Sequence, residues 1–188
     1  MSKIQLFVIH CTATHEGQDI TGDDIDLMHR SPKKNPDGSY TFMGKTYSSV
    51  PPELPERYRN RLGNGWTKVG YWGVIRLDGT FDELVPMNDD DNVDPWEITY
   101  GASGYNSISR HIVYAGGLEK GSLKPKDTRT PEQSRALELI VKQFIAAHPD
   151  VKVAGHGELP GVHKACPSFD VSAWCKKIGL EAKNIYKQ

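Results

Sequence analysis

The chain has little of what marks secreted, membrane-spanning or nucleic-acid-binding proteins. It contains three cysteines, an odd number that does not fit a disulfide framework. No run approaches the ~18 consecutive apolar residues that span a bilayer, so we expect no membrane span. Positive and negative charges nearly cancel, to a formal net charge of -1. That balance argues against a basic binding face, and we expect no nucleic-acid partner.

The amino-terminal segment also lacks the small-residue cleavage site of a signal peptide. Its apolar residues 4–9 lead directly to His10, as a buried strand would. We therefore expect synthesis in the cytoplasm, where cysteines stay reduced. The length of 188 residues and a hydrophobic fraction of 37% are sufficient for a sizeable globular core. We expect one domain over residues 1–188, acting as a monomer.

Strand and helix patterns are interleaved along the chain, which predicts an α/β fold with a central mixed sheet flanked by helices. The predicted strands are 4–10, 69–77, 110–115 and 151–154, and the predicted helices are 21–28, 131–148 and a short one after Asp170. Thr130 and Gln133 indicate a capping box at the start of the long helix, with Pro131 at its first position.

Residues 31–65 interrupt this alternation and are rich in turn signals. A small hairpin at Tyr40–Tyr47, with Gly44 near its turn, is the regular element expected there. We interpret the segment as an insertion on the surface. Because it lies just before Tyr71, it either lines or covers a ligand groove or decorates the fold.

A loop near the carboxyl end holds most of the chemically active side chains. It carries His156, His163, Lys164 and Cys166 within eleven residues. A further histidine, His10, ends the first predicted strand. Two imidazoles and a thiolate suit a catalytic zinc ion, which takes three protein ligands and keeps one position open. The second imidazole is either His156, which ends a strand, or His163, which would share one turn with Cys166.

Several sequence blocks occur in a fixed order around these residues. They are Val-Ile-His10-Cys-Thr-Ala-Thr, Val-Gly-Tyr71 followed by Asp78-Gly-Thr, Gly104-Tyr-Asn-Ser, a strand ending in Gly116-Gly117, and Lys164-Ala-Cys166-Pro-Ser-Phe-Asp. This order resembles the zinc-dependent N-acetylmuramoyl-L-alanine amidases of the phage-lysozyme and peptidoglycan-recognition-protein superfamily. The blocks cover most of the chain outside residues 31–65, and the last is specific to the phage-lysozyme branch.

The resemblance implies that His10, His156 and Cys166 bind one zinc ion per chain, and that Tyr71 and Lys164 are a catalytic pair beside it. A phenol and an ammonium are donors that can meet the negative oxygen developing on a scissile carbonyl. The implied reaction is hydrolysis of the amide between N-acetylmuramic acid and L-alanine in peptidoglycan. A phage or prophage endolysin of this kind would act on the cell wall after release.

Two other functions, and other roles for two of these residues, are consistent with the sequence. A peptidoglycan-binding module that does not cut its ligand generally lacks the cysteine ligand, whereas Cys166 is present here. An amidase that recycles anhydro-muropeptides in the cytoplasm has an aspartate at that position. At the residue level, Tyr71 has core packing as its alternative role, and Lys164 a solvated loop charge.

The remaining candidates have structural explanations. Cys175 falls on the apolar face of the last helix, and Cys11 points away from His10 across its strand. The acidic run 89–94 lacks the glycine of a calcium loop and is expected to be solvated. Four histidines are expected to be ordinary surface or packing residues: His15, His29, His111 and His148. Arg110 and His111 replace small or apolar residues that the family pattern leads us to expect.

Overall fold

A five-stranded sheet is the centre of the computed structural model, which describes residues 2–88 and 90–186. The strands, in chain order, are β1 (Ser2–Lys3), β2 (Leu6–Cys11), β3 (Thr14–His15), β4 (Lys33–Lys34), β5 (Tyr40–Phe42), β6 (Lys45–Tyr47), β7 (Gly73–Ile75), β8 (Phe81–Glu83), β9 (Asn92–Val93), β10 (Ser109–Tyr114), β11 (Gly117–Leu118) and β12 (Lys152–Gly155). The helices are α1 (Gly22–Arg30), α2 (Pro131–Ala147) and α3 (Val171–Lys177).

The central sheet has the order β12-β2-β10-β7-β8. Its first four strands are parallel and β8 is antiparallel to β7, so the sheet is mixed, as predicted. All six residues of β2 are buried, as expected for a parallel strand covered on both faces. The first strand of this sheet in chain order, β2, therefore lies inside the sheet, between β12 and β10.

Helices cover the two faces of this sheet. On one face, α2 contributes Leu137, Val141 and Phe144 to a core that includes Phe7 and Ile9 of β2. Each such side chain stabilises the fold by roughly 1.5–3 kcal/mol before entropy is counted. On the other face, α1 packs against β7 and β10. This arrangement confirms the α/β fold with flanking helices.

The helix boundaries follow their caps. The Thr130 hydroxyl accepts from the Gln133 backbone N–H at 3.0 Å, and the Gln133 side chain accepts from the Thr130 N–H at 3.0 Å. This is the predicted capping box. The Asp170 carboxylate likewise accepts from the Ala173 N–H at 2.7 Å and starts α3. Cys175 is fully buried in the main core, as its position on the apolar face of α3 predicted.

The insertion forms its own three-stranded sheet from β4, β5 and β6. The predicted hairpin is present, with Met43 and Gly44 at positive φ in its turn. Phe42 and Tyr58 lie in a small separate core. The Tyr58 hydroxyl donates to the α1 residue Asp26 at 2.8 Å, so the insertion is attached to that helix.

The predicted strand at 69–77 is wrong in length, because sheet pairing begins only at Gly73. The Gly70 N–H donates to His29 Nδ1 at 3.0 Å instead of to a neighbouring strand. Tyr71 therefore lies just before β7 and not on a strand. No helix within the described residues is long and apolar enough to cross a membrane.

Candidate metal centre and active site

Three side chains from two distant parts of the chain converge beside the central sheet. One potential ligand atom each from His10, His156 and Cys166 lies within 4.8 Å of the other two. His10 is on β2, and His156 follows β12 directly. Because these strands are adjacent and parallel, their carboxyl ends meet at one edge of the sheet. Cys166 enters from the loop before α3.

The orientation of the His10 ring is well defined. Its Nδ1 atom lies 3.8 Å from Cys166 Sγ, so this nitrogen faces the other ligand-type residues. Its Nε2 atom lies 3.1 Å from Nδ1 of His111, a fully buried residue of β10. The ring centroid of His156 is 4.5 Å from that of His10. The two nitrogens of His10 therefore face different partners.

Backbone and side-chain hydrogen bonds hold the Cys166 loop in place. The Cys11 N–H donates to Cys166 Sγ at 3.3 Å, a contact that favours a thiolate. The Gly157 N–H donates to the Cys166 carbonyl at 2.7 Å, which joins the two ligand-bearing segments. The Tyr114 hydroxyl donates to the Pro167 carbonyl at 2.6 Å. Cys11 itself is buried in the core, as predicted, and contributes its backbone to the site.

Burial controls the protonation of the ligand-type residues. It lowers the pKa of His10 well below its ordinary value, and neighbouring His111, His156 and Lys164 lower it further. Burial, followed by Lys164, also lowers the pKa of His156. Both imidazoles are therefore neutral at pH 7 and each offers a lone pair to a metal. A hydrogen bond with Cys11 and burial raise the pKa of Cys166, so a metal would have to displace its proton.

Tyr71 and Lys164, the expected catalytic pair, both lie near this group. The Tyr71 ring centroid is 5.1 Å from that of His10. Burial, followed by the charges of Cys166 and Cys11, raises the pKa of Tyr71, so the phenol keeps its proton. Lys164 is exposed, and its charge acts on His10 and His156.

The alternative ligand His163 is exposed and does not belong to the group of converging ligand atoms. Glu158 is engaged with α3, where it accepts from the N–H groups of Val171 and Ser172 at 2.9 and 3.1 Å. It therefore fixes the loop that follows His156.

Sequence reasoning missed the role of His111. We expected an ordinary surface or packing histidine, but it contacts a ligand-type imidazole directly. Its neighbour Arg110 forms a buried ion pair with Glu97, at 2.6 Å, which accounts for a charge inside the strand. The contact of His111 with His10 follows from strand register, because His111 lies opposite Val8 and two positions before the partner of His10.

The other histidines behave as structural residues. His29 is buried, and burial lowers its pKa to about 4. His148 is buried beside Phe144 and bonds Asp91 at 2.7 Å. Of the acidic run 89–94, Asp89 lies outside the described residues, and the run contributes no ligand to the converging group.

A mixed α/β sheet carries two neutral imidazoles and a thiol at its edge, beside a protonated phenol and an ammonium. Such a set of side chains could hold one metal ion and is typical of hydrolases. Residues 1–169 match the family model described as N-acetylmuramoyl-L-alanine amidase, so the chain belongs to that family and is an amidase of this kind. The resemblance found in the sequence blocks is confirmed.

Relatives agree with the family. The chain is 28% identical over 185 residues to an endolysin of Enterobacteria phage K11, covering 94% of this chain and 93% of the relative. It is 37% identical over 118 residues to an endolysin of Klebsiella phage KP32, covering 62% of this chain and 70% of that one. Among solved structures, it is similar in fold to the N-acetylmuramoyl-L-alanine amidase LysC from Clostridium intestinale URNW. That match has a TM-score of 0.57 and 17% identity, over 96% of this chain and 88% of the other.

Proposed function

We propose that this amidase is a zinc-dependent phage or prophage endolysin that cuts the bond between N-acetylmuramic acid and L-alanine in peptidoglycan. The observation that supports zinc binding is the convergence of ligand atoms from His10, His156 and Cys166 within 4.8 Å. The endolysin role is supported by similarity to phage endolysins over most of the chain. In this role the protein reaches the wall after release from the cytoplasm.

The donor set fits zinc. Bonds of ~2.0–2.1 Å to imidazole nitrogen and ~2.3 Å to sulfur separate neighbouring ligand atoms by roughly 3–4 Å in a tetrahedral site. The separation of 3.8 Å between His10 Nδ1 and Cys166 Sγ is in this range. The N–H of Cys11 stabilises the negative sulfur. Three protein ligands would leave one coordination position of such an ion for substrate and water.

Residues of this chain would assist amide hydrolysis beside the metal. When bound, zinc would activate the attacking water and polarise the scissile carbonyl. Tyr71 keeps its proton because burial raises its pKa, so it can donate a hydrogen bond to the oxygen on which charge develops. Lys164 places a positive charge at the exposed side of the same group. We assign both residues to transition-state stabilisation.

Two other functions are less well supported. A binding module that does not cut peptidoglycan has no need for a thiolate ligand, yet Cys166 faces His10. An amidase that recycles soluble anhydro-muropeptides would carry an aspartate there. Intact peptidoglycan is therefore the substrate we propose.

Mass spectrometry of digested sacculi tests the reaction. The expected products are muramic acid residues with free lactyl carboxylates and peptides that begin with L-alanine. The Cys166→Ser protein serves as the control and should release neither product. Cleavage within the glycan or the stem peptide, or binding without products, would refute the proposal.

Metal analysis tests the ligand set. The purified protein should contain about one zinc per chain, the stoichiometry of a single site. We expect the His156→Ala protein to lose the metal, whereas His163→Ala, in the same loop, should retain it. The opposite pattern would transfer the ligand role to His163. Absence of zinc after zinc-replete expression would exclude the metal site.

A further inference from the structure

Two histidines form a buried pair behind the proposed metal centre. Nε2 of His10 lies 3.1 Å from Nδ1 of His111, and the two residues are 1% and 0% exposed. The other nitrogen of His10 faces Cys166. An imidazole that binds a metal through one nitrogen carries its proton on the other and donates it to an outer partner. In this chain, that partner is a second imidazole.

The surroundings hold the His111 ring in this position. His111 and His10 lie on adjacent parallel strands, where His111 is opposite Val8 in the register. A Cβ atom at Gly101 would overlap the His111 ring, so only glycine leaves room for it there. The ring thus has little freedom to turn away from His10.

The protonation pattern of the pair follows from the hydrogen bond. If His10 donates from Nε2, then Nδ1 of His111 is the acceptor and its own proton is on Nε2. That Nε2 atom is buried and has no hydrogen-bond partner within the described residues. A buried N–H without a partner lowers stability. The hydrogen bond that Nδ1 makes with His10 explains why a histidine is present at this position despite that cost.

We propose that His111 is a positioning residue that fixes His10 in the tautomer and ring orientation that aim Nδ1 at the zinc. The proposal rests on the proposed zinc site and adds a role for a residue that does not touch the metal. Carboxylates and backbone carbonyls usually take this place, and a neutral imidazole adds no negative charge to the centre.

Zinc affinity, measured by competition with a chromophoric chelator, tests this role in the full chain. His111→Leu keeps a similar volume and removes the acceptor, so we expect zinc binding to weaken about 10–100-fold. His111→Asn, whose amide oxygen can replace Nδ1, should recover most of the affinity. The control His148→Leu changes another buried histidine, which bonds Asp91, and should leave the affinity unchanged.

The outcomes separate the two proposals. If the wild-type protein does not bind zinc, the metal site and the role of His111 both fail. If the wild-type protein binds zinc and both His111 variants bind it equally well, only the positioning role fails. A role in packing alone predicts this second result, with a loss of stability and an unchanged zinc affinity.

Long-range ¹H–¹⁵N NMR of the zinc-loaded wild-type protein tests the tautomer directly and needs no folded variant. We expect the His10 proton on Nε2 and a proton on Nε2 of His111. A His10 ring that carries its proton on Nδ1, or an Nδ1-protonated His111, would overturn the proposal.

Discussion

The ring and the hydroxyl of Tyr71 have different roles in the structure. Its ring packs between His10 and His29, with centroid separations of 5.1 and 5.3 Å. Its hydroxyl has a raised pKa and stays protonated near the proposed metal. Packing depends on the ring and transition-state stabilisation on the hydroxyl. Removing the hydroxyl alone therefore distinguishes the two roles.

We expect Tyr71→Phe and Lys164→Ala each to lower kcat by about a hundredfold or more, the effect of losing an oxyanion donor. KM should change much less, because the lost contact strengthens only as charge develops. Steady-state kinetics on a soluble muropeptide, with zinc content measured in parallel, provide the test. Tyr40→Phe in the insertion is the matched control. Near-normal turnover by zinc-loaded Tyr71→Phe would remove Tyr71 from the mechanism.

The candidate site was predictable where local sequence carries the information. His10 and Cys166 stand in blocks with a recognisable order, and their convergence agrees with that order. His111 was not predictable in this way. Its partner is 101 residues away, and their contact depends on the register between β2 and β10, which no local pattern specifies.

At the scale of elements, the loop that carries Cys166 depends on the sheet beneath it. Tyr114 ends β10 and donates its hydroxyl proton to the carbonyl of Pro167 at 2.6 Å. Both groups are buried. The hydrogen bond thus connects a central strand to the residue that follows a proposed ligand.

Tyr114→Phe should lower the free energy of unfolding by about 1–3 kcal/mol, because it leaves a buried carbonyl without its donor. It should also weaken zinc binding, since the Cys166 loop loses an anchor. Thr130→Ala provides the comparison: loss of the α2 cap costs about 1 kcal/mol and should not change zinc affinity. Urea denaturation and chelator competition measure the two effects. Equal zinc affinity in both variants would contradict the anchoring role.

Helices and strands differed in how well sequence predicted them. The start of α2 agrees with the prediction because its cap is formed by neighbouring residues, Thr130 and Gln133. The strand predicted at 69–77 is reduced to Gly73–Ile75. Strand ends are determined by which backbone groups a neighbour offers, and at Gly70 the neighbour is the His29 side chain.

At the scale of the whole molecule, buried histidines make stability depend on pH. Burial lowers the pKa of His29 to about 4 and that of His111 to about 3. In the unfolded chain both groups titrate near a pKa of ~6.5. Below that pH the unfolded state binds protons that the folded state excludes, so stability falls as the pH falls.

From pH 7 to pH 5, each of these two histidines should lower the free energy of unfolding of the metal-free protein by about 2 kcal/mol. Urea denaturation in the presence of a chelator at both pH values measures the loss. In His29→Asn the loss should be smaller by about 2 kcal/mol. In His163→Asn, at an exposed position, it should equal the wild-type loss. Equal wild-type stability at both pH values would contradict this account.

The central place of β2 has a consequence for biosynthesis. This strand leaves the ribosome well before its partners β10 and β12, which lie at residues 109–114 and 152–155. Pairing over such sequence distances is slow, so the backbone groups on both edges of β2 stay unpaired until β10 and β12 have been synthesised. A nascent or truncated chain that ends before β12 therefore has an exposed apolar edge and lacks His156 and Cys166. We expect such fragments to aggregate and to be inactive, so that the cell producing this hydrolase gains the activity only from chains translated beyond Cys166.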